Sequence, residues 1–164
     1  MTEKKILTIG NPLLKKKSKP VTALTDKIKK LIKDMTDTMY SANGCGLAAI
    51  QIGEPLRVIA VDTSDKRNEL NIIINPKITK KEGEIIFTEG CLSVPGLEGD
   101  VKRFQKVTIT GKDQNFKDIK ITAEAYHAVA FQHEIDHLEG KLYIDKAIEG
   151  TTKSVDDQEH QETI

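Results

Sequence analysis

The sequence predicts an α+β fold: antiparallel β-sheets packed around a central C-terminal helix that carries a His-Glu-x-x-His segment, plus an N-terminal helix. Three observations carry that expectation. Apolar residues recur at helical spacing over 25–42, short β-rich runs follow one another between 57 and 121, and His133-Glu134-Ile135-Asp136-His137 sits in a second helical stretch. The β-rich runs lie too close together for a crossover helix between each pair, so they read as antiparallel.

The elements follow in order. Thr25 or Asp26 can cap the first helix, whose Ile28, Leu31, Ile32, Met35 and Met39 form one apolar face, and Asn43-Gly44 ends it. Strands are expected at 57–61, 70–74, 83–87, 107–111 and 119–121, each broken by turn residues. A second helix is expected from about Thr122, a plausible cap, to Leu138, with Gly140 placed to end it. Its Ala125, Ala128, Val129 and Ala130 are small or medium, which lets it pack close to a sheet while His133 and His137 face a cavity. Residues 1–148 are expected to form one domain, and 149–164 a polar, flexible tail with Asp156, Asp157, Glu159 and Glu162 and no apolar period. No internal repeat or dividing linker is seen.

Composition narrows the function classes. Lysine plus arginine and aspartate plus glutamate stand at 25 each, which gives no case for specific nucleic acid or an anionic membrane as main partner. No run of about 18 apolar residues is present to span a bilayer, and the first residues lead into only a short apolar stretch, so an unexported protein is expected. Two cysteines, Cys45 and Cys91, can form at most one bridge, and a reducing cytoplasm suits that usage. The basic cluster Lys15-Lys16-Lys17 with Lys19 reads first as a solvated surface, with RNA contact as the alternative.

The chemistry resides in the helix motif. Histidines four apart on a helix lie on one face with roughly 5–6 Å between Cβ atoms, so both imidazoles can reach one metal ion. Glu134, next to the first of them, can reach a water on that metal and shuttle its proton. A catalytic zinc-type site takes three protein ligands and an open position. Candidates for the third are Cys91, His127, His160 and several carboxylates. His127 is rotated by roughly 600° from His133 at 100° per residue, which points it away from the pair, and His160 lies in the tail. Cys91, in Glu89-Gly90-Cys91-Leu92-Ser93, follows a β run and would complete a Cys-His-His set. Gly44-Cys45-Gly46-Leu47-Ala48-Ala49-Ile50-Gln51 permits close approach of a substrate and brings an amide donor at Gln51, able to stabilise a negative oxygen beside a metal. That stretch lacks the third glycine of a dinucleotide loop and the Gly-Lys-Ser/Thr ending of a phosphate loop. Cys45 itself reads as a small packing residue.

These three stretches, Gly44 to Gln51, Glu89 to Ser93 and Gln132 to His137, match in order the GxGxAAxQ, EGCxS and QHExDH motifs of the peptide deformylases, and the chain resembles that family over residues 4–146. The resemblance extends through Ile6-Leu7, Asn11-Pro12, Arg57 to Asp62, Ser93 to Gly96, Arg103 and Leu138-Glu139-Gly140. It implies that residues 1–148 are a deformylase-like catalytic domain, that Cys91, His133 and His137 hold the metal, that Glu134 is general base and then acid, and that Gln51 and the Leu92 backbone N–H bind the developing oxyanion. It implies removal of the formyl group from the N-terminal formyl-methionine of new polypeptides, with release of formate. It also implies Fe²⁺ as the native ion, with Zn²⁺, Ni²⁺ or Co²⁺ able to substitute; the ligand types alone suggest zinc. Cys45, Gly46 and Gly90 are then backbone contacts of a substrate paired in the β manner. Cys45, Phe87, Tyr126, Val129 and Ala130 are expected to line the methionine pocket. Arg103 matches a family arginine and is left outside the site. A transient ribosome contact, through the Lys15–Lys19 cluster, is a candidate. Ile50, Val129 and Phe116 depart from residues common in the family, and none of these changes removes a catalytic group.

Overall fold

In the computed structural model, residues 3–155 and 163–164 are described. The first helix, α1 (Asp26–Ser41), begins as its sequence requires: Thr25 is extended and its hydroxyl accepts the Ile28 N–H at 3.3 Å. It ends where Asn43 turns left-handed at φ 57° and the Gly44 N–H reaches the Met39 carbonyl. The strands β1 (Gly46–Ala48), β2 (Val58–Val61), β3 (Asn71–Glu82), β6 (Lys106–Lys112) and β7 (Asp118–Glu124) form one sheet in the order β1-β2-β3-β6-β7. A smaller sheet holds β4 (Ile85–Cys91), β5 (Val94–Arg103) and β8 (Lys153–Ser154). Every pairing between these strands is antiparallel, as the short intervals demand.

The large sheet divides the core because successive side chains of a strand point to opposite faces. Leu47, Val58, Ala60, Ile72 and Ile74 pack with the Ile28, Leu31, Ile32, Met35 and Met39 face of α1. Their neighbours Ala48, Ile59, Val61 and Ile73 pack on the other side with Ala128, Val129, Ala130, Phe131 and Leu138. Those five belong to the second helix, α2 (Ala125–Leu138), which touches β1, β2, β4, β6 and β7 and is the central helix of the fold. The alternation in β2, Val-Ile-Ala-Val, thus serves two helices at once and leaves the whole strand buried.

Two expectations change. The second helix does not start at Thr122: that residue lies in β7 opposite Thr108, their hydroxyls 3.3 Å apart. Pairing with β6 runs on to Glu124 and keeps 122–124 extended, so the turn into the helix falls on Ala125, at φ 54°. Strand β5 was not expected, since Pro95, Gly96 and Gly99 weaken its β signal; its register against β4 from Val94 to Arg103 supplies what local preference lacks. Within the segment 149–164, four described residues make contacts with the body of the fold. Lys153 and Ser154 pair with Glu98 and Leu97, Thr163 bridges to Gly44, and Ile164 is 1% exposed within the α2-side core. His160 and the acidic residues 156, 157, 159 and 162 lie outside the described residues.

Gly140 closes α2 with φ 74°, and a Cβ there would run into the Lys15 carbonyl. Both the left-handed backbone and this contact oppose any side chain, so Gly140→Ala is expected to cost about 2–3 kcal/mol. Urea unfolding followed by circular dichroism measures it; a loss under about 0.5 kcal/mol would show that the 14–19 segment moves aside freely.

Candidate metal centre and active site

The end of β4 and the middle of α2 meet across the β4–β5 hairpin, and their side chains converge in the interior. The Cys91 sulfur and one ring nitrogen from each of His133 and His137 lie within 4.8 Å of one another, all three residues buried. The helix spacing sets the two rings edge to face with centroids 5.1 Å apart. Cys91 Sγ stands 3.5 Å from His137 Nε2, a separation that two ligands of one ion can share.

The histidine orientation is fixed from behind. His133 Nδ1 lies 2.7 Å from Glu89 Oε1. With the Nδ1 proton donated to that carboxylate, the Nε2 lone pair is turned into the site, and Nε2 has no hydrogen-bond partner among the described residues. Glu89 is itself gripped by Arg103, whose Nε and Nη2 donate to its two oxygens at 2.7 and 2.8 Å. The third arm of the guanidinium donates to Asp136 on α2 at 2.6 Å, and Lys146 reaches the other Asp136 oxygen at 2.9 Å. Burial would raise the Glu89 carboxyl, but the bonds from Arg103 and His133 outweigh it and hold Glu89 below the usual carboxylate range. Arg103, outside the expected site, therefore holds the carboxylate that faces His133. The sequence signal available is the position of Glu89, a charge two residues before the candidate ligand Cys91.

The donor set fits a divalent cation. Burial, with the Glu134 charge, pushes the Cys91 thiol up, so a thiolate at this position calls for a positive charge beside it. Burial likewise holds the His137 ring well below its ordinary value, which keeps it neutral as a ligand must be. One soft sulfur and two imidazoles are the donors that zinc or ferrous iron accept.

Glu134 lies wholly buried with both carboxylate oxygens unpartnered among the described residues, one of them 4.0 Å from His137 Nε2. Burial and the nearby Glu89 charge raise it well above the ordinary carboxylate range. Gly46 makes room for it: a Cβ at that glycine would overlap the Glu134 carboxylate. Gln51 sits on the single turn Ala49–Ile52 after β1. Its carbonyl accepts the Ala48 N–H at 2.9 Å, so its NH₂ is turned inward, donating to Ser93 Oγ at 2.9 Å and pointing at Cys91 Sγ, 3.7 Å away. Phe87 and Tyr126 stack at 4.8 Å and join Val129 and Ala130 in one apolar cluster. Cys45 differs from these four. Its sulfur faces the Arg67 guanidinium at 3.3 Å, and Arg67 also donates to the Gly44 and Asp62 carbonyls, so the arginine steadies the glycine strand. His127 is elsewhere, bonded to Thr63 at 2.9 Å.

A buried cysteine facing a His-Glu-x-x-His helix, with an unpartnered glutamate and an inward amide, defines the class as a metal-dependent hydrolase. The chain belongs to the polypeptide deformylase family, whose model matches residues 3–153. It is 50% identical over 150 residues to the peptide deformylase of Symbiobacterium thermophilum, covering 92% of this chain and 69% of that one. Identity to the Halothermothrix orenii enzyme is 50% over 143 residues, covering 87% of this chain and 92% of that one. Among solved structures, the Legionella pneumophila peptide deformylase superposes with a TM-score of 0.87 at 44% identity, over 90% of this chain and 87% of that one. The Synechococcus elongatus peptide deformylase, in complex with actinonin, gives 0.86 at 34% identity, over 92% and 81%.

Because Glu89 sets the His133 tautomer, Glu89→Gln is expected to weaken metal binding by about 10–100-fold while the fold persists. Competition with a chromophoric chelator measures the affinity; an unchanged constant would assign Glu89 to structural support alone.

Proposed function

We propose that this protein removes the formyl group from the N-terminal formyl-methionine of newly made polypeptides and releases formate. The observation that carries the reading is the buried Cys91-His133-His137 set with the unpartnered Glu134 carboxylate against it. A divalent ion held by these three residues supplies the Lewis acidity that makes a water nucleophilic at neutral pH.

The remaining work falls to this chain's own groups. Glu134, whose raised affinity for a proton follows from its burial, takes the proton of the attacking water. The water oxygen bonds to the formyl carbon, and negative charge gathers on the formyl oxygen. The Gln51 amide and the Leu92 N–H are the donors for that charge, and Gln51 is held for the task by its bonds to Ala48 and Ser93. As the carbon–nitrogen bond breaks, Glu134 delivers its proton to the departing methionine nitrogen, leaving formate and a free amine. The formyl carbon bears only hydrogen, so a site this enclosed admits it and turns away an acetyl group.

The methionine side chain is assigned to the apolar cluster of Phe87, Tyr126, Val129 and Ala130. The peptide main chain is assigned to the cleft between Cys45-Gly46 and Gly90. Cys45 serves by its main chain, since its sulfur is turned to Arg67. Ferrous iron is the ion that the family resemblance supports, with zinc, nickel or cobalt substituting. Among the described residues no helix is long and apolar enough to cross a membrane. A cytoplasmic site of action beside the ribosome is the setting the substrate requires, and Lys15, Lys16, Lys17 and Lys19 are all exposed for a transient contact there.

Metal-loaded protein is expected to release formate from a formyl-methionyl tripeptide and nothing from its acetyl counterpart. Glu134→Gln should keep its metal and lose about 10²–10⁴-fold in kcat. Equal cleavage of both peptides, or an active Glu134→Gln protein, would remove the proposed chemistry. Changing the four lysines to glutamate should abolish co-sedimentation with ribosomes at low salt and leave tripeptide turnover intact; unchanged sedimentation would discard that contact.

A further inference from the structure

We infer that Thr163–Ile164 of this chain docks in its own active-site cleft as a substrate-like strand, which a peptide must displace before it can be deformylated. The inference rests on the placement of the substrate strand proposed above. Three main-chain bonds define the docking. The Cys45 N–H donates to the Thr163 oxygen at 2.7 Å, the Ile164 N–H donates to the Gly90 oxygen at 3.3 Å, and the Leu92 N–H donates to the Ile164 oxygen at 3.3 Å. One side of the segment is thus held by the glycine strand, where Thr163 bridges to Gly44, and the other by the end of β4. The segment fills the cleft assigned to the peptide backbone and engages the donor assigned to the oxyanion.

The side chain completes the likeness. Ile164, 1% exposed, is buried in the cluster that contains Val129 and Ala130, with Phe87 and Tyr126 packed against it. An aliphatic side chain of methionine's size class is thus buried in the apolar cluster from which the methionine pocket was assigned. The approach is anchored as well: Lys153 and Ser154 pair with β5, and the Val155 N–H donates to the Gly96 oxygen at 3.0 Å. Val155 and Thr163 both line one cavity of about 410 Å³ with Gly90, Cys91 and Leu92. Tethering makes the docking intramolecular, at an effective concentration of about millimolar, so a contact of modest intrinsic strength competes with dilute substrate. Full burial of an isoleucine side chain corresponds to about tenfold or more in such an equilibrium.

The test uses the full chain, metal-loaded, as wild type, Ile164→Asp and Ile164→Met. Amide hydrogen exchange at Cys45 and Leu92 reads the docking, and the KM for a formyl-methionyl tripeptide reads the competition. Ile164→Asp is expected to speed exchange at both amides at least tenfold and to lower KM about tenfold with kcat unchanged. Ile164→Met is expected to preserve the protection and the higher KM. Equal exchange in wild type and Ile164→Asp would overturn the docking, and faster exchange with an unchanged KM would overturn the competition. Absence of formate from every variant would overturn the deformylase reading instead, and the exchange rates would still decide whether the segment docks.

Discussion

The buried carboxylate of Glu89 is the joint on which the site turns. It takes two bonds from Arg103 and faces His133, while the same guanidinium reaches Asp136 three residues further along the helix. One acidic residue near the end of a strand thereby ties β4, β5 and α2 together. Cys91, two residues beyond Glu89, is carried into place by that tie. Removing one partner from such a buried ionic network leaves an uncompensated charge and costs several kcal/mol, so the residues that arrange the ligands also stabilise the fold.

The electrostatics of the cavity are balanced around a positive charge supplied from outside the chain. Arg103 satisfies Glu89 and Asp136, but nothing among the described residues satisfies Glu134, and the Cys91 thiol gains nothing by ionising alone. The fold thus keeps a thiol, two imidazoles and a carboxyl close together in the interior. It places that set next to the Gln51 amide, whose orientation is fixed by main chain on one side and by Ser93 on the other. A centre arranged in advance does not have to reorganise as charge develops.

Much of this was legible in the sequence, for physical reasons that differ from element to element. The face of α1 and its Thr25 cap follow from spacing and side-chain chemistry within one turn. The convergence of Cys91 with the histidine pair was recoverable because few residue types bind metal and the motif spacing is restrictive. The start of α2 was misplaced because Thr122 is a good cap by type, yet its pairing with Thr108 is a contact between strands that no local window contains. Strand β5 carries Pro95 and two glycines, so its extended form depends on β4 rather than on its own residues. Arg103 and Glu89 read as ordinary charges until burial made their pairing obligatory. Ile164 is one apolar residue after an acidic stretch, and no periodicity announces where a single side chain will lodge.

The separation of the candidate ligands along the chain has a further consequence. Cys91 and His137 are 46 residues apart and belong to different elements, one at a hairpin and one on the central helix. An ion that joins them acts as a cross-link, closing a long loop that the unfolded chain would otherwise explore. Any ligand bound by the native state alone shifts the folding equilibrium by mass action. With an ion held there, resistance to heat and to proteases would rise with metal supply, and chains lacking it would be both idle and shorter-lived.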